Sequence, residues 1–238
     1  MFPLVHVDKP NPLDLFQIWL NLPAKNKKVD PHYKMLWRED IPVVDLKSET
    51  GEGTVKVTTV TGAIPGTQSQ SLPPGPPPPS SWAFDPQNDV CVWTISFTPG
   101  TEGKGVTWVL PKAQKSGTNR VLYFFRGTKV ILGESFTLEK HMGIELDSSQ
   151  AVPLSVPPGG GGEGEGVELL LLQGQPIGET VVNHGPFVCS SDEELREIFG
   201  AFHEGKFGDW PFESDGPVNG LKGRFAQHPG GKVETRDV

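Results

Sequence analysis

The segment from Val90 to Phe97 alternates strictly: Cys91, Trp93, Ile95 and Phe97 share one face, and Val90, Val92, Thr94 and Ser96 the other. A period of two is the signature of a strand with one face in a core, because successive side chains leave a strand on opposite sides. Shorter apolar runs recur at Val55–Val60, Val106–Leu110, Val121–Phe125, Lys129–Leu132, Met142–Leu146 and Val167–Leu172, and Phe16-Gln17-Ile18-Trp19-Leu20 reads as a further strand. Pro99-Gly100, Ser116-Gly117 and Arg126-Gly127 punctuate them. Many short strands between turn signals predict an all-β sandwich or barrel. With 238 residues the chain is long enough for one large domain or two modest ones, and its 29 Gly and 24 Pro suit a fold rich in turns.

One helix is expected. Ser191 and Glu194 have the spacing of a capping box, and Leu195, Ile198, Phe199 and Phe202 then form one apolar stripe that ends at Gly205. This helix is expected to pack on the β core. Asp192, Glu193 and Glu194 complement the dipole at its start, which explains them without catalysis. Two segments read as flexible loops: the proline-rich stretch at 72–80, a stiff linker or a ligand for a proline-recognising domain, and the glycine-rich stretch at 158–166. The second lacks the Lys-Ser/Thr ending of a phosphate loop and carries acidic residues that would repel phosphate.

Composition narrows the function classes. No run of about 20 apolar residues exists, so no spanning helix is expected, and the first residues do not read as a secretory signal. Cys91 and Cys189 are the two cysteines, too few for a disulfide framework, and a reducing cytoplasmic or nuclear setting follows as the expectation. Net charge is −8, and between Glu134 and Glu204 there are 13 acidic residues against Lys140 and Arg196. Such a surface repels nucleic acid and leaves open a protein partner with a basic face; a merely soluble surface is the simpler reading.

No catalytic constellation is visible. The histidines are His6, His32, His141, His184, His203 and His228, and the closest pair is 19 residues apart, so no single strand or helix presents two imidazoles to a metal. That leaves only a metal site assembled from distant loops. No Gly-x-Ser-x-Gly elbow occurs, and neither cysteine has an adjacent His or Lys to lower its pKa.

Several ordered blocks nevertheless resemble one family. The run Leu15-Phe16-Gln17-Ile18-Trp19-Leu20-Asn21-Leu22-Pro23-Ala24-Lys25 with Pro31-His32-Tyr33, the run Gln173-Gly174-Gln175-Pro176-Ile177-Gly178-Glu179, and His184-Gly185-Pro186-Phe187-Val188 are similar to the pirins. So are Gly205-Lys206-Phe207-Gly208-Asp209-Trp210-Pro211 and Gly223-Arg224-Phe225-Ala226. The likeness is weakest across 62–80 and 155–166.

The resemblance implies a bicupin, two β-barrels packed face to face. In the family the first barrel holds a non-haem iron through three histidines and a glutamate. These ligands are expected upstream of the segment that resembles Met1-Phe2-Pro3-Leu4, so this chain is expected to carry no iron and no catalytic, metal or cofactor-binding residue. In the second barrel a metal-binding cupin needs His-x-His, a Glu and a later His. Here the corresponding strand reads Gly105-Val106-Thr107-Trp108-Val109-Leu110, Asn119-Arg120 stand near the Glu position, and Ile144 or a neighbour stands near the last His, with His141 in the preceding turn. The expected fold is all-β: a cupin-type barrel of bicupin architecture, its first barrel incomplete, with one short C-terminal helix. Its parts are a first-barrel remnant over 1–45, a second barrel over 46–190, and a helix and tail over 191–238. Early proteolysis is expected within 1–45 or the tail.

The resemblance also sets the functional expectations. Some pirins act as nuclear cofactors of transcription factors, and others oxidise quercetin with O₂ and the bound metal in a 2,3-dioxygenation. For this chain the first expectation is a metal-free, monomeric, regulatory protein-binding module whose partner carries a basic surface, without direct nucleic-acid or membrane binding. The alternative is a piece of an iron-dependent quercetin 2,3-dioxygenase, inactive alone. A non-functional fragment, from a mispredicted or alternative start or a truncated gene, is a third expectation.

Overall fold

Alternation becomes sheet in the computed structural model, which describes residues 2–3, 6, 8–50, 52–66, 75–100, 104–162, 166–210, 218–219, 223–228 and 231–236. The strands are β1 (Phe2–Pro3), β2 (Val43–Lys47), β3 (Thr54–Thr61), β4 (Cys91–Thr98), β5 (Val106–Leu110), β6 (Asn119–Arg126), β7 (Val130–Leu132), β8 (Phe136–Leu138), β9 (Met142–Glu145), β10 (Val152–Val156), β11 (Val167–Gly174), β12 (Val182–His184) and β13 (Phe187–Cys189). The helix α1 (Asp192–His203) follows, then β14 (Val218–Asn219), β15 (Arg224–Gln227) and β16 (Val233–Arg236). The chain divides into two compact units, Leu36–Ile177 and the combination of Met1–Met35 with Gly178–Val238.

The Leu36–Ile177 unit holds β2 to β11 in two antiparallel sheets. One runs in the order β2-β3-β4-β11-β6-β9 and the other β5-β10-β7-β8. Ile95 and Phe97 of β4, Leu169 and Leu171 of β11, and Leu110 and Leu154 of β5 and β10 are fully buried in one continuous core. In β4 the burial alternates as the sequence predicts, with Cys91, Trp93, Ile95 and Phe97 inside. The Trp93 indole N–H is not left bare in this apolar setting, since it donates to the Gly62 carbonyl at 2.7 Å. β2 pairs continuously with β3 from Val43 opposite Thr58 to Lys47 opposite Thr54, so the expected boundary after residue 45 falls inside a strand of this unit.

Three local expectations change. The Phe16–Leu20 run forms no strand: residues 10–23 carry no regular structure and lead into a short 3₁₀ turn at Ala24–Asn26. Alternation makes a segment competent for a sheet, but a ladder needs a neighbouring edge. β10 was not visible in the sequence because Pro153 interrupts it. It is tolerated because β7 pairs only with Leu154 and Ser155, while the Pro153 carbonyl accepts from the Gly133 amide at 2.8 Å. The described part of the glycine-rich loop is a fixed turn. The Gly160 carbonyl accepts from the Thr128 and Lys129 amides at 2.8 and 3.0 Å, and a Cβ on Gly160 would lie 2.8 Å from the Lys129 carbonyl oxygen. Residues 163–165, and 72–74 of the proline stretch, lie outside the described residues.

In the other unit, β12 and β13 form a hairpin across Gly185-Pro186, with Gly185 at φ 56° as the first central residue of a two-residue turn. The capping box at Ser191 is present: its hydroxyl accepts from the Glu194 amide at 3.2 Å, and the Glu194 carboxylate accepts from the Ser190 amide at 2.9 Å. The apolar stripe of α1 meets this hairpin, where Phe187 lies 5.2 Å from Phe199 and 5.8 Å from Phe202 between ring centroids. No residue of α1 is buried, so the expected packing of this stripe into a β core takes the form of aromatic edge contacts on a hairpin.

Candidate functional site

At one end of the sandwich the core turns polar. Asp89, Thr118, Arg120 and Gln173 are all buried there, beside Cys91. They come from separate elements. Arg120 is the second residue of β6 and points inward with Leu122 and Phe124, Gln173 points inward near the end of β11, and Asp89 closes a 3₁₀ turn at Pro86–Asn88 just before β4.

A buried charge is tolerated only when its hydrogen-bonding capacity is met. The Arg120 Nε donates to Gln173 Oε1 at 2.7 Å, Nη2 donates to the same oxygen, and Nη1 donates to the Pro111 carbonyl at 2.7 Å. The Gln173 amide nitrogen donates to Asp89 Oδ1 at 2.9 Å, to the Asp89 carbonyl at 3.1 Å and toward Cys91 Sγ at 3.5 Å. Asp89 Oδ2 accepts from the Gln114 and Lys115 amides and the Thr118 hydroxyl, all within 3.0–3.1 Å. Gln173 therefore relays between a guanidinium and a carboxylate that do not touch. Burial pulls the Arg120 pKa below its ordinary value, against the raising effect of Cys91 and Asp89. Burial also pushes the Cys91 thiol up to about 12, with Asp89 adding to the rise and Arg120 opposing it. A thiol held protonated in this way is a weak nucleophile.

A cavity of about 360 Å³ adjoins this cluster, bounded by Thr61, Gly62, Pro76, Pro77, Phe84, Asp89, Cys91 and Gln114. The described part of the proline-rich stretch thus forms a wall. The chain just beyond it is pinned to the same end: Trp82 Nε1 donates to the Gln175 carbonyl at 2.8 Å, and Asn88 Nδ2 donates to the Trp82 carbonyl at 2.7 Å.

The positions singled out in the sequence do not converge on a metal. Thr107 is half-buried and shares a hydrogen bond with Ser155 at 2.9 Å, and Val106, Trp108 and Leu110 are core residues. Ile144 packs against the core, and exposed His141 places Nε2 3.2 Å from the Gly127 carbonyl with its ring on edge to Phe124. His184 lies against Phe199, His203 Nδ1 against the Phe199 carbonyl at 2.7 Å, and His228 against Glu234 at 3.0 Å. Among the described residues no group of three His, Cys, Asp or Glu side chains is placed to hold a metal ion. Of the buried cluster, Arg120 and Gln173 lie in stretches that the sequence reading quotes, while Asp89 was missed. Its one local signal is an Asn-Asp pair immediately before an alternating strand.

Two facing antiparallel sheets with this strand order define a cupin-type fold. Residues 110–208 match the pirin C-terminal cupin domain. The chain is 28% identical over 195 residues to a Pseudomonas aeruginosa protein whose name places it with the quercetin 2,3-dioxygenases, covering 82% of this chain and 57% of that one. It is 30% identical over 192 residues to a pirin-like protein of Caulobacter vibrioides, covering 81% and 58%, and 25% identical over 218 residues to human pirin, covering 86% and 62%. The crystal structure of an Acinetobacter baumannii quercetin 2,3-dioxygenase superposes with a TM-score of 0.59 at 16% identity, covering 85% of this chain and 56% of that chain. Over residues 110–208 the chain thus carries a pirin-type C-terminal cupin domain, and the likeness to pirins extends along most of its length. The chain spans less than two thirds of the length of these relatives.

Iron, which the family resemblance implies, does not fit the donors at this end of the sandwich. The guanidinium of Arg120 is a fixed cation there, and both Asp89 oxygens already accept protein hydrogen bonds. No helix among the described residues is long and apolar enough to cross a membrane.

Proposed function

We propose that this chain acts as a regulatory protein-binding pirin, with its described cupin unit serving as a scaffold. The observation that carries this reading is the Arg120–Gln173–Asp89 relay, in which this end of the sandwich spends its buried charges on hydrogen bonds within the protein, as a scaffold does. The uneven acidic charge supports a partner with a basic face, through long-range attraction that speeds encounter. A cytoplasmic or nuclear setting is part of the same reading.

The dioxygenase reading is favoured by the names of the relatives. Purified chain loaded with iron(II) is expected to retain far less than one equivalent after desalting and to leave quercetin absorbance and dissolved O₂ unchanged. Stoichiometric iron together with quercetin-dependent O₂ uptake would overturn the proposal.

A further inference from the structure

The proline-rich stretch sits where no spacer is needed. β3 ends at Thr61 and β4 begins at Cys91, and the two strands are antiparallel neighbours with Thr61 opposite Val92. About two to five residues close a hairpin of this kind. Residues 62–90 join them instead. Both ends lie in the Leu36–Ile177 unit, so the prolines hold no two bodies apart. Long connections in compact units are usually kept for a function.

The chain dictates its own shape here. Pro76, Pro77 and Pro78 each have φ fixed by the ring, and each precedes another proline, which disfavours the helical region. That combination holds the segment in the polyproline II conformation, with three residues per turn. It ends in a turn in which the Ser81 amide donates to the Pro78 carbonyl at 2.9 Å. Burial follows the period of three: Pro76 and Pro79 are exposed, while Pro77 and Pro78 are half-buried. The end of the ridge is fixed, since the Ser81 hydroxyl accepts from the Ala83 amide at 3.2 Å and Trp82 is tied to the Gln175 carbonyl.

Such a ridge limits what can recognise it. Its backbone offers carbonyls and no N–H, and its rings are rigid, so a groove lined by flat aromatic side chains is its complement. Because it already has the bound shape, it loses little entropy on docking. Charge narrows the partner further. No charged residue occurs from Gly62 to Phe84, so a groove that also demands a flanking Lys or Arg finds none. We propose that Pro76–Pro79 is a docking ridge for a protein domain whose aromatic-lined groove needs no flanking cation. The Pro76 and Pro79 rings are the pair that enters the groove. This inference uses a different face and a different partner from the regulatory reading above and stands without it.

Titration of isotope-labelled WW, EVH1 and SH3 domains with the full chain, followed by the domains' amide and indole resonances, tests the idea. The expected result is saturable one-to-one binding by the WW or EVH1 domain, confined to its aromatic groove and indifferent to salt. Pro76→Ala and Pro79→Ala are each expected to weaken that binding about tenfold while leaving circular dichroism unchanged, because both rings are exposed. No saturable binding by any of the three domains overturns the proposal. So does binding by the SH3 domain alone, or binding that both substitutions leave intact.

Discussion

Asp89 adopts the left-handed backbone conformation, φ 49°, a choice that costs a non-glycine residue about 1 kcal/mol. The carboxylate offsets it by accepting from two backbone amides and a hydroxyl that β-structure leaves without partners. Its neighbour Cys91 reports on the same burial. The thiol is raised from 9.0 to about 12, so the folded chain keeps its proton where the unfolded chain has lost it. Stability from this group is complete below about pH 9 and declines as the pH rises toward 12, by about 1.4 kcal/mol per pH unit. Urea unfolding of wild type and Cys91→Ala is therefore expected to show a stability difference that shrinks by about 1 kcal/mol between about pH 9 and pH 10. A constant difference would mean that the thiol ionises as freely in the fold as outside it.

Short elements here are held by backbone contacts more than by length. The Gly160 turn receives both amides of Thr128-Lys129 and also accepts from the Thr128 hydroxyl at 2.9 Å. Gly160→Ala is expected to destabilise the Leu36–Ile177 unit by about 1–3 kcal/mol in thermal or urea melts, since a methyl group cannot share space with the Lys129 carbonyl. Gly159→Ala, at φ 76° with no atom within 4 Å of the added carbon, is expected to cost only about 1 kcal/mol through backbone strain. Equal losses would deny the close approach. α1 relies on its cap and on Phe187, because it buries none of its own residues.

Across the whole molecule, stability is unevenly distributed. The Leu36–Ile177 unit has a continuous two-sheet core, whereas the other unit is assembled from ladders of two to four residues and one helix without a buried side. Local opening follows such differences. Limited trypsin digestion of dilute chain is expected to cut first at the exposed lysines of 25–28 or beyond Gly178, leaving a resistant fragment that contains residues 36–177. Equal cleavage throughout would contradict this.

Strands β3 to β7, β9 and β11, the inward face of β4 and the capped start of α1 were legible from sequence alone, because they depend on local period and on residues three or four apart. The tertiary structure decided the rest. Gln173 meets Asp89 across 84 positions and Arg120 across 53, so no spacing rule could assemble that relay. β10 exists despite Pro153 because its neighbours leave that position without need of a donor. Phe16–Leu20 has every strand preference and no ladder, because preference resides in the side chains while a strand exists only where a second backbone supplies its hydrogen bonds.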